Sequence, residues 1–382
     1  MNKPHIFEIP YEKFVNTLKK EKLPAFRAGQ IWQWAFEKGI ANPEEMTNLG
    51  KSLQQQLLSI VDFSLPEVMT EQKAADGTVK WLFKLQDGHE VETVFIPEAH
   101  RGTLCVSSQV GCTLNCRFCH TGTQGLSRNL EAWEIVAQVW LAKKRLGEWE
   151  KDAKERRVVG NLVFMGMGEP LFNWDNVKNA CKMLMAEKAF AFGSRKITIS
   201  TSGMVENIPN IASELGVNLA ISLHAPDDET RTRIMPINKK WPLEKLMGAL
   251  RAFPLKEHRR ITWEYVMLKD VNDTPEHAEA LIKLIKGIPS FVNLIPFNEW
   301  PGSPFKCSTS ERIQAFKKII EKSNISVAAR TPRGEDILAA CGQLRGETSK
   351  FNTVSLDYPT VVAQYGNERQ KAKVQIESCE DL

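Results

Sequence analysis

Gly111-Cys112-Thr113-Leu114-Asn115-Cys116-Arg117-Phe118-Cys119 sets three cysteines in a C-x3-C-x2-C array. Thiolates are soft donors suited to zinc or to iron-sulfur clusters, and this spacing lets one loop converge three of them on a single centre. A structural zinc site needs a fourth protein ligand, and His120, the next residue, offers one. A cubane cluster on three cysteines instead leaves one iron open to a small molecule. Both readings stand on the loop alone.

Outward from this loop, strand-like and helix-like stretches alternate. Strands are predicted at 104–110, 158–165, 197–200, 219–223, 261–267 and 292–297, and helices at 133–146, 176–185, 243–253, 275–288 and 310–323. Six such βα repeats predict an α/β fold with a parallel sheet curled into a partial or full barrel over 101–346. A flat doubly wound sheet is the alternative, but no phosphate-cradling glycine fingerprint follows the first strand.

Ahead of the barrel, Phe14, Leu18, Ile31, Trp34 and Ala35 recur at helical spacing, and Leu53, Leu57 and Leu58 resume it after Gly50. Residues 1–65 therefore read as a small helical module. Between 66 and 100 the period changes to two: Val79, Trp81 and Phe83 alternate, Asp87-Gly88 supplies a turn, and Val91, Thr93 and Phe95 share a side. That is a short antiparallel extension, on which Glu92 is expected to face solvent. Residues 347–382 are polar and read as a loose tail.

With 42% hydrophobic and 25% charged residues in 382, the composition is that of a globular protein with a full core. A formal charge of +4 permits a nucleic-acid partner without demanding one. Met1-Asn2-Lys3-Pro4-His5-Ile6 lacks an apolar leader and no run of eighteen apolar residues occurs, so a cytoplasmic protein with no membrane association is expected. Eight cysteines in a reducing compartment point to metal or redox chemistry rather than a disulfide framework.

In a parallel barrel the carboxyl ends of the strands face the active site. Val163-Phe164-Met165-Gly166-Met167-Gly168-Glu169-Pro170 closes the second strand, where Gly168 lets backbone approach a ligand and Glu169 accepts from an ammonium. Ser200, Ser222, His224 and Asn298 line the same mouth. Cys341, before Gly342, is expected to be exposed enough to act as a nucleophile, whereas Cys181 and Cys307 read as small buried hydrophobes.

The cysteine spacing, with an aromatic residue before the last cysteine, resembles the cluster loop of radical S-adenosylmethionine enzymes. Leu104 to Cys112, Thr123-Gln124-Gly125, Met165 to Pro170, Ser222-Leu223-His224-Ala225-Pro226 and Ala340-Cys341-Gly342-Gln343-Leu344 together are similar to the RlmN/Cfr family of radical RNA methyltransferases. The resemblance implies a radical-SAM partial (β/α)6 barrel and one 4Fe-4S cluster on Cys112, Cys116 and Cys119. It implies S-adenosylmethionine held by Gly168, Glu169, Ser200, Ser222, Leu223, His224 and Asn298, with two molecules consumed per methylation.

In that family's scheme Cys341 takes a methyl group from one cofactor molecule and a second furnishes the radical that activates it. The carbon joins an adenine, Glu92 accepts the proton, and Cys105 resolves the adduct through a transient disulfide with Cys341. The helical front module favours the branch that methylates C2 over the branch that methylates C8. The substrates implied are 23S rRNA in the peptidyl-transferase centre and the adenosine 3′ to the anticodon in some tRNAs, and an electron donor such as flavodoxin with its reductase serves a monomer.

Arg117, Arg128, Lys143, Lys144, Arg145 and the pairs Arg156-Arg157 and Lys239-Lys240 are candidates to guide the RNA backbone, as are Arg27, Lys38 and Lys51 of the front module. Two other readings remain: a radical enzyme acting on a small molecule or peptide, and a zinc-binding RNA-interaction protein without catalysis.

Overall fold

The computed structural model describes residues 3–99, 101–150 and 158–344. Arg156, Arg157 and the predicted tail at 347–382 lie outside them. Three helices open the chain: α1 (Tyr11–Lys20), α2 (Phe26–Glu37) and α3 (Lys51–Ile60). Their apolar stripe is the one the spacing predicts, with Phe14, Leu18, Ile31 and Ala35 all fully buried. The module docks on a later helix, where Trp140 Nε1 donates to Ala35 O at 2.7 Å and His5 stacks on Trp133 at 4.3 Å.

Strands β1 (Glu67–Lys73), β2 (Val79–Lys84) and β3 (Glu90–Ile96) form an antiparallel meander, and β4 (Gly102–Cys105) pairs antiparallel with β3. The short strands β5 (Gln109–Gly111) and β6 (Leu126–Asn129) pair with each other and bracket the cysteine loop. A parallel series continues the main sheet from β4: β7 (Val159–Phe164), β8 (Ile197–Thr201), β9 (Asn218–Ser222), β10 (Ile261–Met267), β11 (Ser290–Pro296) and β12 (Ser326–Ala329). The extension and the barrel are therefore one ten-stranded sheet running from β1 to β12.

Helices α4 (Ala132–Arg145), α5 (Trp174–Met185), α6 (Ile208–Asn210), α7 (Asp228–Ile234), α8 (Leu243–Arg251), α9 (Pro275–Ile285) and α10 (Ser310–Lys322) lie in the crossovers. The fold is an α/β partial barrel, with three departures from the sequence reading. Strand β12 makes a seventh parallel strand; its Ser-Val-Ala-Ala composition and half-exposed edge position gave no periodic signal. The predicted strand at 104–110 breaks after Cys105, because Ser107 N donates to Gln138 Oε1 at 2.8 Å and Ser108 N to Met167 O at 2.8 Å rather than to a ladder.

The third departure concerns Glu92, which is buried and not facing solvent. The alternation in β2 and β3 separates two covered faces: Thr93 Oγ1 donates to Gln138 of α4 at 2.9 Å, and the opposite face looks into the barrel. Val94 pairs with both Lys80 and Cys105, so Lys80, Glu92, Val94 and Cys105 share that inner face.

Several basic residues hold the fold together. Arg128 makes paired bonds of 2.7 Å to Glu134 and also contacts Asp87, Lys143 meets Glu148 at 2.6 Å and Arg145 meets Glu71 at 2.6 Å. Lys144 Nζ donates to Gly39 O at 2.9 Å. In the front module Lys38 lies 3.8 Å over the Trp34 ring and Arg27 4.9 Å over Phe26.

Candidate active site

The cysteine loop leaves β5 at Gly111, where φ is +77° and a Cβ would meet Gly125 O at 1.7 Å; glycine alone fits. Cys112 N donates to Gly125 O at 2.9 Å and Cys119 N to Cys116 O at 3.0 Å, curling the three side chains inward. All three are free thiols. Burial pushes each of them up, and the sulfurs of Cys112 and Cys119 push Cys116 further. Thiols that resist ionising alone become ligands once a cation takes up their charge, so the donor set fits a metal cluster.

A single zinc ion fits less well. His120 is occupied elsewhere, with its ring stacked on Trp300 at 4.8 Å and 5° and Nδ1 lying 3.3 Å from Gln343 O.

Beside the loop a cavity is lined by Phe118 and Cys119, by Gly166, Gly168 and Glu169 after β7, and by Ser200, Ser222 and His224 at the ends of β8 and β9. Gly168 has φ +98°, and a Cβ there would sit 2.5 Å from Gln109 Cβ. The Glu169 carboxylate is buried; it accepts from Ser202 N at 2.8 Å and Leu171 N at 3.2 Å, and burial raises its pKa. Glycines beside a buried, oriented carboxylate suit the amino end of an amino-acid-bearing ligand. Leu223 does not line this cavity, because its backbone N–H donates to Glu264 O at 3.1 Å and its carbonyl accepts from Arg231 Nε at 3.0 Å.

His224 Nδ1 accepts from Val266 N at 3.0 Å, which leaves Nε2 as the N–H donor of a neutral ring. Burial, with the Arg231 guanidinium nearby, pulls its pKa from 6.5 down to about 3. Between those values the unfolded chain binds a proton that the folded chain refuses, so this ring costs stability as pH falls below 6.5 and nothing above it. Urea midpoints of His224→Asn and the parent should therefore converge or cross in the variant's favour from pH 6.5 to 4. A pH-independent gap would contradict the assignment.

Cys105, at the end of β4, and Cys341 line a second cavity with Met165, Asn298 and Arg330. Cys341 also lines the first, so the two cavities share this residue. Burial, reinforced by Cys341, pushes the Cys105 thiol up. Asn298 belongs to this second cavity, and its Nδ2 donates to Cys341 O at 3.3 Å. The Cys341 segment is tied to the cluster loop: His120 N donates to Gly342 O at 2.7 Å and Thr121 Oγ1 to Leu344 O at 2.6 Å. Cys181 is a core residue of α5 as expected, but Cys307 is only half-buried.

Glu92 lines neither cavity but meets Lys80 Nζ at 2.9 Å, and the same ammonium donates to Leu338 O at 3.3 Å, close before Cys341 in sequence. Three further charged residues escaped the sequence reading. Arg231 is buried and bonds the carbonyls of Ser202, Ser222 and Leu223, fixing the ends of β8 and β9. Glu264 and Arg330 flank Cys341. Of these only Glu264 carried a signal, as a carboxylate inside an otherwise apolar parallel strand.

Residues 106–285 match the Radical SAM superfamily model, and residues 7–62 match the Ribosomal RNA large subunit methyltransferase N-terminal domain. The chain is 52% identical over 344 residues to the dual-specificity RNA methyltransferase RlmN of Paracoccus denitrificans, covering 89% of this chain and 88% of that one. It is 50% identical over 361 residues to the RlmN of Parvibaculum lavamentivorans, covering 91% and 90%. A crystal structure of a radical SAM methyltransferase from Sphaerobacter thermophilus superimposes with a TM-score of 0.85 at 40% identity, covering 90% of this chain and 99% of that one. Matching both family models and at least 50% identical to these relatives over most of its length, the chain belongs to the RlmN family of radical S-adenosylmethionine methyltransferases.

Proposed function

We propose that the chain methylates C2 of an adenosine in 23S rRNA and of the adenosine 3′ to the anticodon in some tRNAs, with Cys341 as the methyl carrier. The observation that carries this reading is the position of Cys341, which lines both the cavity beside the cluster loop and the cavity of Cys105. A carrier must meet the donor on one side and the acceptor on the other. Cys112, Cys116 and Cys119 hold the 4Fe-4S cluster; Gly168, Glu169, Ser200, Ser222 and His224 hold S-adenosylmethionine from the first cavity, with Leu223 beneath and Asn298 beyond. When bound, that pair supplies one-electron cleavage of the sulfonium and hence a hydrogen-abstracting carbon radical.

The chain's own residues do the rest. Cys341 displaces the methyl group onto its sulfur, Cys105 later attacks that sulfur to free the product, and the resulting disulfide is reduced for the next turn. Glu92, held by Lys80, takes the C2 proton; the Lys80 bond to Leu338 O keeps this base in register with the carrier loop. The adenine must leave its stack to reach the second cavity. Arg117 and Lys239 are exposed and suited to phosphate contact, unlike the paired Arg128 and Lys143. Among the described residues no helix is long and apolar enough to cross a membrane; the reading takes the protein as a cytoplasmic monomer served by a flavodoxin-type electron donor.

The test is the fate of the first methyl group. With methyl-labelled cofactor the parent should carry label on Cys341 and Cys341→Ala none. Retention of protein label by the variant would place the carrier elsewhere, and nucleoside analysis showing C8 rather than C2 methylation would move the chain to the other branch.

A further inference from the structure

We propose that Arg330 is a positioning residue shared between two acceptors, the Cys341 sulfur and the Glu264 carboxyl, and that it passes from the first to the second when the sulfur is methylated. This rests on Cys341 as the methyl carrier. Arg330 follows β12 directly and is fixed by its backbone N–H, which donates to Leu294 O at 2.8 Å. Its Nη1 lies 3.5 Å from Cys341 Sγ, and its Nη2 lies 4.0 Å from Glu264 Oε1. The second distance is an ion pair without a hydrogen bond.

Glu264 explains why that distance matters. Its Oε2 accepts from Asn293 Nδ2 at 2.6 Å, but Oε1 is buried with no hydrogen-bond partner. A buried carboxylate oxygen left alone is costly unless a partner arrives at another stage of the cycle. Arg330 is the charged group next to it.

Charge balance supplies that stage. In the loading step a lone pair of the Cys341 thiolate forms the new S–C bond. The methyl–sulfonium bond breaks, and its electron pair stays on the cofactor sulfur as a neutral thioether. One negative and one positive charge vanish together, leaving S-methylcysteine neutral and Arg330 facing only Glu264. Closing on Oε1 completes the carboxylate's hydrogen bonding and clears the guanidinium from the sulfur, so the methyl group is uncovered.

The readout is alkylation of Cys341 by iodoacetamide at one fixed pH on the purified full chain, followed as loss of the unmodified Cys341 peptide by mass spectrometry. It requires neither cofactor nor turnover. Arg330→Met should slow the reaction by about tenfold or more, and Arg330→Lys should keep most of the rate, because a cation beside the sulfur favours the attacking thiolate. Glu264→Gln should speed it by about twofold to fivefold, because the guanidinium then serves the sulfur alone. Opposite signs cannot come from a loosened pocket; equal rates in all variants, or slowing in both Arg330→Met and Glu264→Gln, overturn the proposal. Label on Cys341 in the loading assay with either of these results would sink this inference alone. Label absent from Cys341 while the opposite signs hold would sink the carrier reading and leave the charge pairing in place.

Discussion

Cys105→Ala should convert a freely released RNA product into a covalent protein–RNA adduct that makes up most of the engaged substrate. Once the Cys341 carbon is bonded to C2, the only exit that regenerates RNA is attack on the Cys341 sulfur by another thiol. Cys105 shares the cavity of that sulfur. Among the described residues the other thiols outside the cysteine loop do not replace it: Cys181 is buried in α5, and Cys307 lines neither cavity. Burial also raises the Cys105 thiol, opposed by the Arg330 charge. Labelled RNA should migrate with the protein on a denaturing gel and be released by nuclease but not by boiling. Full release of methylated RNA by the variant would remove Cys105 from the scheme.

How much of this was legible in the sequence depended on whether a residue's chemistry is local. The cysteine loop and the Met165 to Pro170 turn are short-range constructions, written in consecutive residues, and they appear where the spacing puts them. The strands with β-branched cores likewise fall within a residue or two of the predicted bounds. Glu92 was misplaced because period-two alternation reports two faces without saying what covers them. One face is covered by α4, and the other is the barrel interior, so a carboxylate there needed Lys80 from the neighbouring strand.

Arg330 and Arg231 were missed for the same reason at longer range. Arg231 lies in a seven-residue helix rich in charge, and nothing in Asp228 to Ile234 says that this one side chain turns inward to three strand-end carbonyls. Arg330 follows a strand too short and too small in side chains to be recognised, yet that strand delivers its guanidinium to Cys341. Leu223 and Asn298 show the same dependence on tertiary context, the first bonded through its backbone to Glu264 and the second lining the cavity of Cys105.

Cys116→Ala should empty the cluster site while leaving the chain folded. Cys116 is the deepest of the three cysteines, pushed up by burial and then by the sulfurs on either side of it, so a cluster held there would take up the charge those sulfurs resist carrying alone. Iron in the reconstituted protein should fall from about four per chain to near zero, with loss of the brown colour and of reductive cofactor cleavage. The loop itself has independent supports: Arg117 N donates to Ile234 O at 3.0 Å, His120 N to Gly342 O at 2.7 Å and Gly122 N to Cys119 O at 3.1 Å. Its urea midpoint without metal should therefore stay near that of the parent. Cys181→Ala provides the contrast, because removing that core sulfur leaves a small void costing about 1 kcal/mol while iron and cofactor cleavage persist. A Cys116→Ala protein that kept its iron, or a parent that bound stoichiometric zinc and no iron, would deny the loop its role. Cys341 and Cys105 would then face each other across a cavity with no source of radical to connect them.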